Sequence, residues 1–358
     1  MKARTPAPAA KPAPAKLSKL NKLIVAAGQH ADLDALRALK TRGADFNAPY
    51  RSYRALHALI QTKPHAEATA PSAHQLKVFS WLLANGADPE LDGAWPPTRA
   101  ILVAAFMGAR EYVDLLLDYG VKNGIRVDAF VSAALGDAAA VKRAIARDVS
   151  IATARDLHGM TLLQCAAASR MGRRDAKVAD RLLSIAEMAL DAGADPHAAT
   201  KSWSHDVDAV YFAASSHQRS VFSLLLDRGG DATRALTNAL WNGGAAFADL
   251  GEIAIRHGAD VNRAEAENRP LLNDLIRWGQ FGPARWLLAH GADPNRAQGR
   301  DGSATAGWTA LHQAASRGNV KIVEELIAAG ADIRRKDAAG STPADIARVK
   351  AVLQWLTP

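Results

Sequence analysis

Cysteine occurs once in 358 residues, at Cys165, so no intramolecular disulfide can form and a thiolate-rich zinc site is excluded. A single thiol fits a reducing compartment, and a cytoplasmic chain is expected, with a secreted effector as the other setting to weigh. Aromatic residues make up 6% against 49% hydrophobic, so the core is built largely from Ala and Leu. That suits closely packed helix pairs better than a β-sandwich. No apolar run approaches the ~18 residues that span a bilayer. There is no P-loop, no G-x-G-x-x-G after a strand, no H-E-x-x-H and no C-x-x-C, so no catalytic, cofactor or metal site is expected. Acidic residues are missing from positions 1–22, where Lys2, Arg4, Lys11, Lys16, Lys19 and Lys22 supply most of the net charge of +8. The body is therefore close to neutral, which argues against a nucleic-acid-binding repeat surface. Residues 1–16, rich in Ala, Pro and Lys, read as a disordered basic tail; no apolar stretch follows them as a secretory signal would require.

What is abundant is a beat. Gly-Ala-Asp recurs at Gly43, Gly86, Gly193, Gly258, Gly291 and Gly330, with weaker copies at Gly120, Asp148 and Gly229. The intervals cluster around a period near 33, the mark of a stacked repeat array. Before the glycines runs an apolar stripe at i, i+1, i+4, i+5: Val78, Phe79, Leu82, Leu83, then Tyr112, Val113, Leu116, Leu117, then Val221, Phe222, Leu225, Leu226, then Ile322, Val323, Leu326, Ile327. Such a stripe is one face of a helix. The distance from a helix-start position to the closing glycine is 21 residues in the copies at 99–120, 208–229, 270–291 and 309–330.

The cleanest copy runs from Gly307-Trp308-Thr309-Ala310-Leu311-His312 to Gly330-Ala331-Asp332. It resembles the ankyrin repeat, whose T-P-L-H-x-A-A-x-x-G start and V-x-x-L-L-x-x-G-A-D ending it matches. The resemblance covers about residues 17–357 and implies an all-α fold, an α-solenoid of about nine to ten ankyrin repeats. It also implies that His57 and His312 hydrogen-bond between neighbouring repeats. Residues 17–43 read as the N-terminal cap and residues 337–357 as the C-terminal one, with a second helix cut to Val349–Leu356.

Two copies, from Arg54 to Gly86 and from Thr161 to Gly193, are 11 residues longer than the rest. Their insertions fall at about 63–75, expected as a loop, and about 170–180, which either loops or lengthens a helix. Residues 230–258 are compressed. His205, Asp206 and Asp208 share a hairpin and are the one grouping worth testing as metal ligands.

In an ankyrin unit the two positions before the first-helix turn face a concave groove, and hairpin tips project along it. That nominates Phe106 and Met107, Arg277 and Trp278, and Arg317 as partner-binding residues, with Trp203 and Trp308 on hairpins. Trp and Arg are also the residues that most often anchor interfaces. Trp81, Trp286 and Trp355 fall in second helices and are expected in the core. The function implied is non-enzymatic binding of a partner protein by a monomeric chain. Two alternatives stand beside it: a basic tail that binds nucleic acid or an anionic surface with the repeats as spacer, and an enzyme whose site lies in the two insertions.

Overall fold

The apolar stripes become buried helix faces: Val78, Phe79 and Leu82, like Ile322, Val323 and Leu326, are fully buried. The computed structural model describes residues 14–61, 70–94, 97–202, 205–265, 269–299 and 302–357. Within these the chain forms two compact units, divided after Asp208. The first holds five helix pairs: α1 (Pro14–Gln29) with α2 (Leu33–Thr41), α3 (Ala55–Ile60) with α4 (Ala73–Ala84), α5 (Ala100–Met107) with α6 (Arg110–Asn123), α7 (Ala129–Leu135) with α8 (Ala138–Arg147), and α9 (Leu162–Ala168) with α10 (Ala176–Asp191). A short hairpin, β1 (Thr200–Ser202) and β2 (His205–Val207), closes it. The second unit holds α11 (Ala209–Ser216) with α12 (Arg219–Asp227), α13 (Ala232–Asn242) with α14 (Phe247–Arg256), α15 (Leu271–Arg277) with α16 (Phe281–Ala289), and α17 (Ala310–Arg317) with α18 (Val320–Ala328). A two-residue hairpin, β3 (Ala264–Glu265) and β4 (Arg269–Pro270), leads into α15, and α19 (Lys350–Leu356) ends the chain. The protein is all-α, a solenoid of repeats.

The helix starts fall where the spacing puts them. Arg54, Arg99, Thr161, Pro270 and Thr309 each immediately precede a first helix. The closing glycines also behave as expected, with one exception. Gly330 adopts φ +87°, a left-handed conformation that side chains resist, and so lets the chain turn out of α18. Gly120 does not: α6 runs through it to Asn123, and Gly124, at φ +79°, terminates the helix. The marker at 120 is thus displaced by one turn. The compressed stretch is a complete pair lacking only its hairpin, since Asp231 caps α13 directly after the Gly229-Gly230 turn. The terminal unit lacks a first helix altogether; residues 343–346 form a turn, and only the second helix is kept.

Of the two insertions, the one at about 63–75, expected as a loop, has its residues up to 69 outside the described ones; its end is helical, since Ser72 caps α4 and residues 73–75 form its first turn. In the other, Met171–Arg174 forms one 3-10 turn, and α10 then extends to 16 residues from an Asp175 cap. The Arg170 N–H donates to the Ala105 carbonyl at 3.0 Å and the Ser169 hydroxyl to the Ala134 carbonyl at 2.6 Å, so this turn reaches across α7 to the end of α5.

Polar side chains tie each repeat to the next. Three residues beyond the helix start, His57 Nε2 donates to the Thr98 carbonyl (3.1 Å) and His312 Nε2 to the Ser341 carbonyl (3.2 Å). In the same position Gln164 reaches the Ala198 carbonyl (2.8 Å) and Asn273 the Trp308 carbonyl (2.9 Å). His312 Nδ1 accepts from the Thr309 hydroxyl and N–H, which leaves its proton on Nε2; the Thr309 hydroxyl thus serves the imidazole. A second tie comes from an Asn two places after Gly-Ala-Asp. Asn47, Asn262 and Asn295 each accept the N–H of the next repeat's Asp at 2.7–2.8 Å, and Asn47 and Asn295 also donate to its Gly carbonyl. Arg99, at the start of α5, is only 1% exposed; its charge is met by Asp128 (2.7 Å) and Glu90 (3.5 Å).

Burial holds the His57 imidazole down at about 4, below its ordinary 6.5. The unfolded chain therefore takes up the proton first as pH falls, so this stability is complete above about 6.5 and is lost on acidification towards about 4. Burial lowers His312 in the same sense. His57→Gln, which copies the bond made by Gln164, is expected to flatten this acid loss by as much as about 3 kcal/mol. Denaturant titrations at stepped pH check it; an unchanged slope would clear His57 of the effect.

Candidate interaction surface

The sequence puts a turn after every first helix, and what stands at that turn decides how much surface is offered. After α15 the turn carries Trp278, whose side chain is 64% exposed. The Arg277 guanidinium stands 5.6 Å from the centre of the indole ring, in reach of a cation–π interaction. From the next repeat, Arg317 Nη1 donates to the Arg277 carbonyl, and its Nη2 lies 3.4 Å from where a Gly279 side chain would begin. The structure thus brings Arg277, Trp278 and Arg317 together at one turn, the Arg277 guanidinium near the open ring and Arg317 bonded to the Arg277 carbonyl.

The other nominated residues are placed differently. Trp308 is half-buried: its Nε1–H donates to Asp337 Oδ2 at 3.1 Å, and its ring lies nearly parallel to that of His312, 6.3 Å away. Phe106 and Met107, also half-buried, end α5 where the 170–174 turn crosses; the Arg170 carbonyl lies 2.8 Å from where a Gly108 side chain would begin. In the first unit the chain itself therefore lies against this stretch. Trp203 lies outside the described residues.

Tryptophans of the second helices divide. Trp81 packs edge-on against Phe46, and Trp286 stacks on His290 and meets Phe247 edge-on. Trp355, expected in the core, is 40% exposed. Cys165 is fully buried, and burial pushes its thiol pKa well up, so it stays protonated. Asp206 pairs with Lys201 across β1 and β2 at 3.0 Å, and the described residues contain no group of three potential metal ligands.

Sequence reasoning missed a second concavity, on the hairpins of the first unit. A cavity of 180 Å³ is lined by Arg99, Arg126, Asp128, Arg155, Asp156 and His158, with Leu157 at its edge 79% exposed. Both signs of charge line it, so it favours neither anion nor cation. The signal available was an arginine at a helix-start position, Arg99, which calls for acceptors on the following hairpin. No helix among the described residues is long and apolar enough to cross a membrane.

A family model described as "Ankyrin repeats (3 copies)" matches residues 235–337. The B-cell lymphoma 3 protein homolog of Mus musculus is 29% identical over 187 residues, 49% of this chain and 39% of that protein. The zinc finger CCCH domain-containing protein 50 of Oryza sativa subsp. japonica is 35% identical over 140 residues, 37% of this chain and 20% of its own length. The chain thus spans well under half of these relatives. The crystal structure of the human ASB11 ankyrin repeat domain aligns over 64% of this chain and 96% of that one, at 22% identity and a TM-score of 0.49.

The two tryptophans at the surface make opposite predictions. Trp308→Ala, which strips Asp337 of a partner and empties half-buried space, is expected to cost about 2 kcal/mol and lower Tm by several degrees. Trp278→Ala should leave Tm within about a degree of the parent, as surface substitutions do. Differential scanning calorimetry of both variants reads the contrast.

Proposed function

We propose that this ankyrin repeat protein binds a partner protein without catalysing a reaction on it, and that Trp278 is the principal anchor. Ankyrin repeats are in general protein–protein interaction modules, and the binding face proposed here is the groove side formed by first-helix ends and hairpins. One observation carries the proposal: the Trp278 side chain is 64% exposed, while the half-buried tryptophans at 81, 286 and 308 each have aromatic partners. Leaving an indole in water forgoes the burial energy of one of the largest side chains, and the few residues that dominate binding in interfaces are enriched in Trp, Tyr and Arg. Arg277 and Arg317 are the companion anchors, and Trp203, Phe106 and Met107 the further candidates. Affinity rests on a preformed surface that loses little conformational entropy on docking. A monomeric, cytoplasmic setting belongs to the same proposal, consistent with a chain of one buried thiol.

Cross-linking in native lysate followed by capture of the full-length chain tests this. Partners recovered with the parent are expected to survive Trp355→Ala, an exposed indole away from the first helices, and to be lost with Trp278→Ala. The affinity loss for a recovered partner should be about thirtyfold, the size of a hot-spot truncation. Equal recovery by a folded Trp278→Ala protein would remove Trp278 from the binding role.

A further inference from the structure

In the second unit Arg219 pairs with Asp249 (3.2 Å), His257 with Asp227 (3.0 Å), Arg285 with Glu325 (2.6 Å), His290 with Glu252 (2.7 Å), Arg263 with Asp231 (3.4 Å) and Arg269 with Asp274 (3.0 Å). Among the described residues no carboxylate lies within ion-pair distance of Arg277 or Arg317, at the first-helix ends, and Arg317 is exposed. Arg296, Arg334, Arg335 and Lys336, on the following hairpins, are exposed and, among the described residues, also without an ion pair. The neighbouring hairpin acids are engaged locally: Asp293 Oδ1 and Asp332 Oδ1 accept N–H groups of their own turns, and Asp337 holds Trp308.

We infer that the Arg277–Trp278–Arg317 cluster recognises a linear segment of a partner protein in which an aspartate or glutamate stands next to a large apolar side chain. The inference rests on the protein-binding reading above and adds the chemistry of the partner. A guanidinium is a planar fork that matches a carboxylate; one stands near the ring and a second is held on the same turn. The indole provides the apolar contact that a carboxylate alone does not use. The hairpin cations add a positive potential that speeds encounter with an acidic segment. A chain whose body beyond residues 1–22 is close to neutral lacks the excess positive charge that nucleic-acid phosphates call for.

Panning a phage library of random linear peptides against the full-length chain tests the chemistry without knowledge of the natural partner. Enriched peptides are expected to carry Asp or Glu beside Trp, Phe, Leu or Met. Their synthetic versions should bind roughly tenfold more weakly to Trp278→Ala and to the Arg277→Glu/Arg317→Glu double variant. Binding should also weaken as salt is raised. Circular dichroism and Tm confirm that each variant is folded. Peptides that depend on Trp278 but show no acidic preference would overturn the inference and leave the protein-binding role of Trp278 intact. Peptides indifferent to Trp278 would overturn both, and an empty selection overturns the inference. An oligo-dT that binds through the same residues more tightly than the acidic peptides would overturn it in favour of nucleic acid.

Discussion

A helix pair such as α17 and α18, of eight and nine residues, has no interior of its own. Ala310, Leu311, Ala314 and Ala315 on one helix, and Ile322, Val323 and Leu326 on the other, reach zero exposure only because adjacent repeats supply the missing walls. Everything else in each unit follows from that dependence. The first helices are rich in alanine because they are approached from several sides. The hairpins must come close enough for His57, Gln164, Asn273 and His312 to reach a carbonyl beyond their own repeat. Each such bond is worth about 1 kcal/mol net, and a buried carbonyl left without one costs more. The ties therefore fix spacing more than they add stability.

A surface for partners is what remains after those demands are met. Trp308 and Trp278 have the same side chain and neighbouring repeats, yet one is recruited to hold Asp337 and the other is not. The difference is the ring's surroundings. Trp308 has an acceptor for its N–H and a nearly parallel imidazole 6.3 Å away, while Trp278 stands exposed on its turn with the Arg277 guanidinium near its ring. Charge adds to the contrast: among the described residues no carboxylate stands within ion-pair distance of Arg277 or Arg317.

The regular half of this organisation was legible in the sequence, because glycine, alanine and the apolar stripe obey local rules. Helix starts at Arg99, Pro270 and Thr309 followed from one spacing, those at Arg54 and Thr161 from the same spacing lengthened by 11, and the inter-repeat roles of His57 and His312 from the resemblance. The end of α6 was not legible. Gly120 and Gly124 are equivalent by composition, and Ile125, which packs where a Gly120 side chain would be, settles the matter only in three dimensions. The Asn ties at 47, 262 and 295 were visible as Asp-x-Asn, but their partners lie in the next repeat, 31 to 41 residues away. Trp355 misled because its place on a second helix reads as core by pattern, while its exposure is decided by what packs on it in three dimensions.

The turn at 170–174 gives the first unit a different kind of cooperativity. In a repeat array each member feels only its immediate neighbours, so fraying propagates one unit at a time, as in a one-dimensional chain of coupled spins. By bonding Ala105 across α7, Arg170 adds a next-nearest-neighbour coupling. The pairs α5–α6 and α9–α10 thereby bias one another's opening by about 1 kcal/mol, the net worth of one hydrogen bond. In the second unit the side-chain ties of Asn262, Asn273, Asn295 and His312 join adjacent repeats, so there opening is passed from neighbour to neighbour.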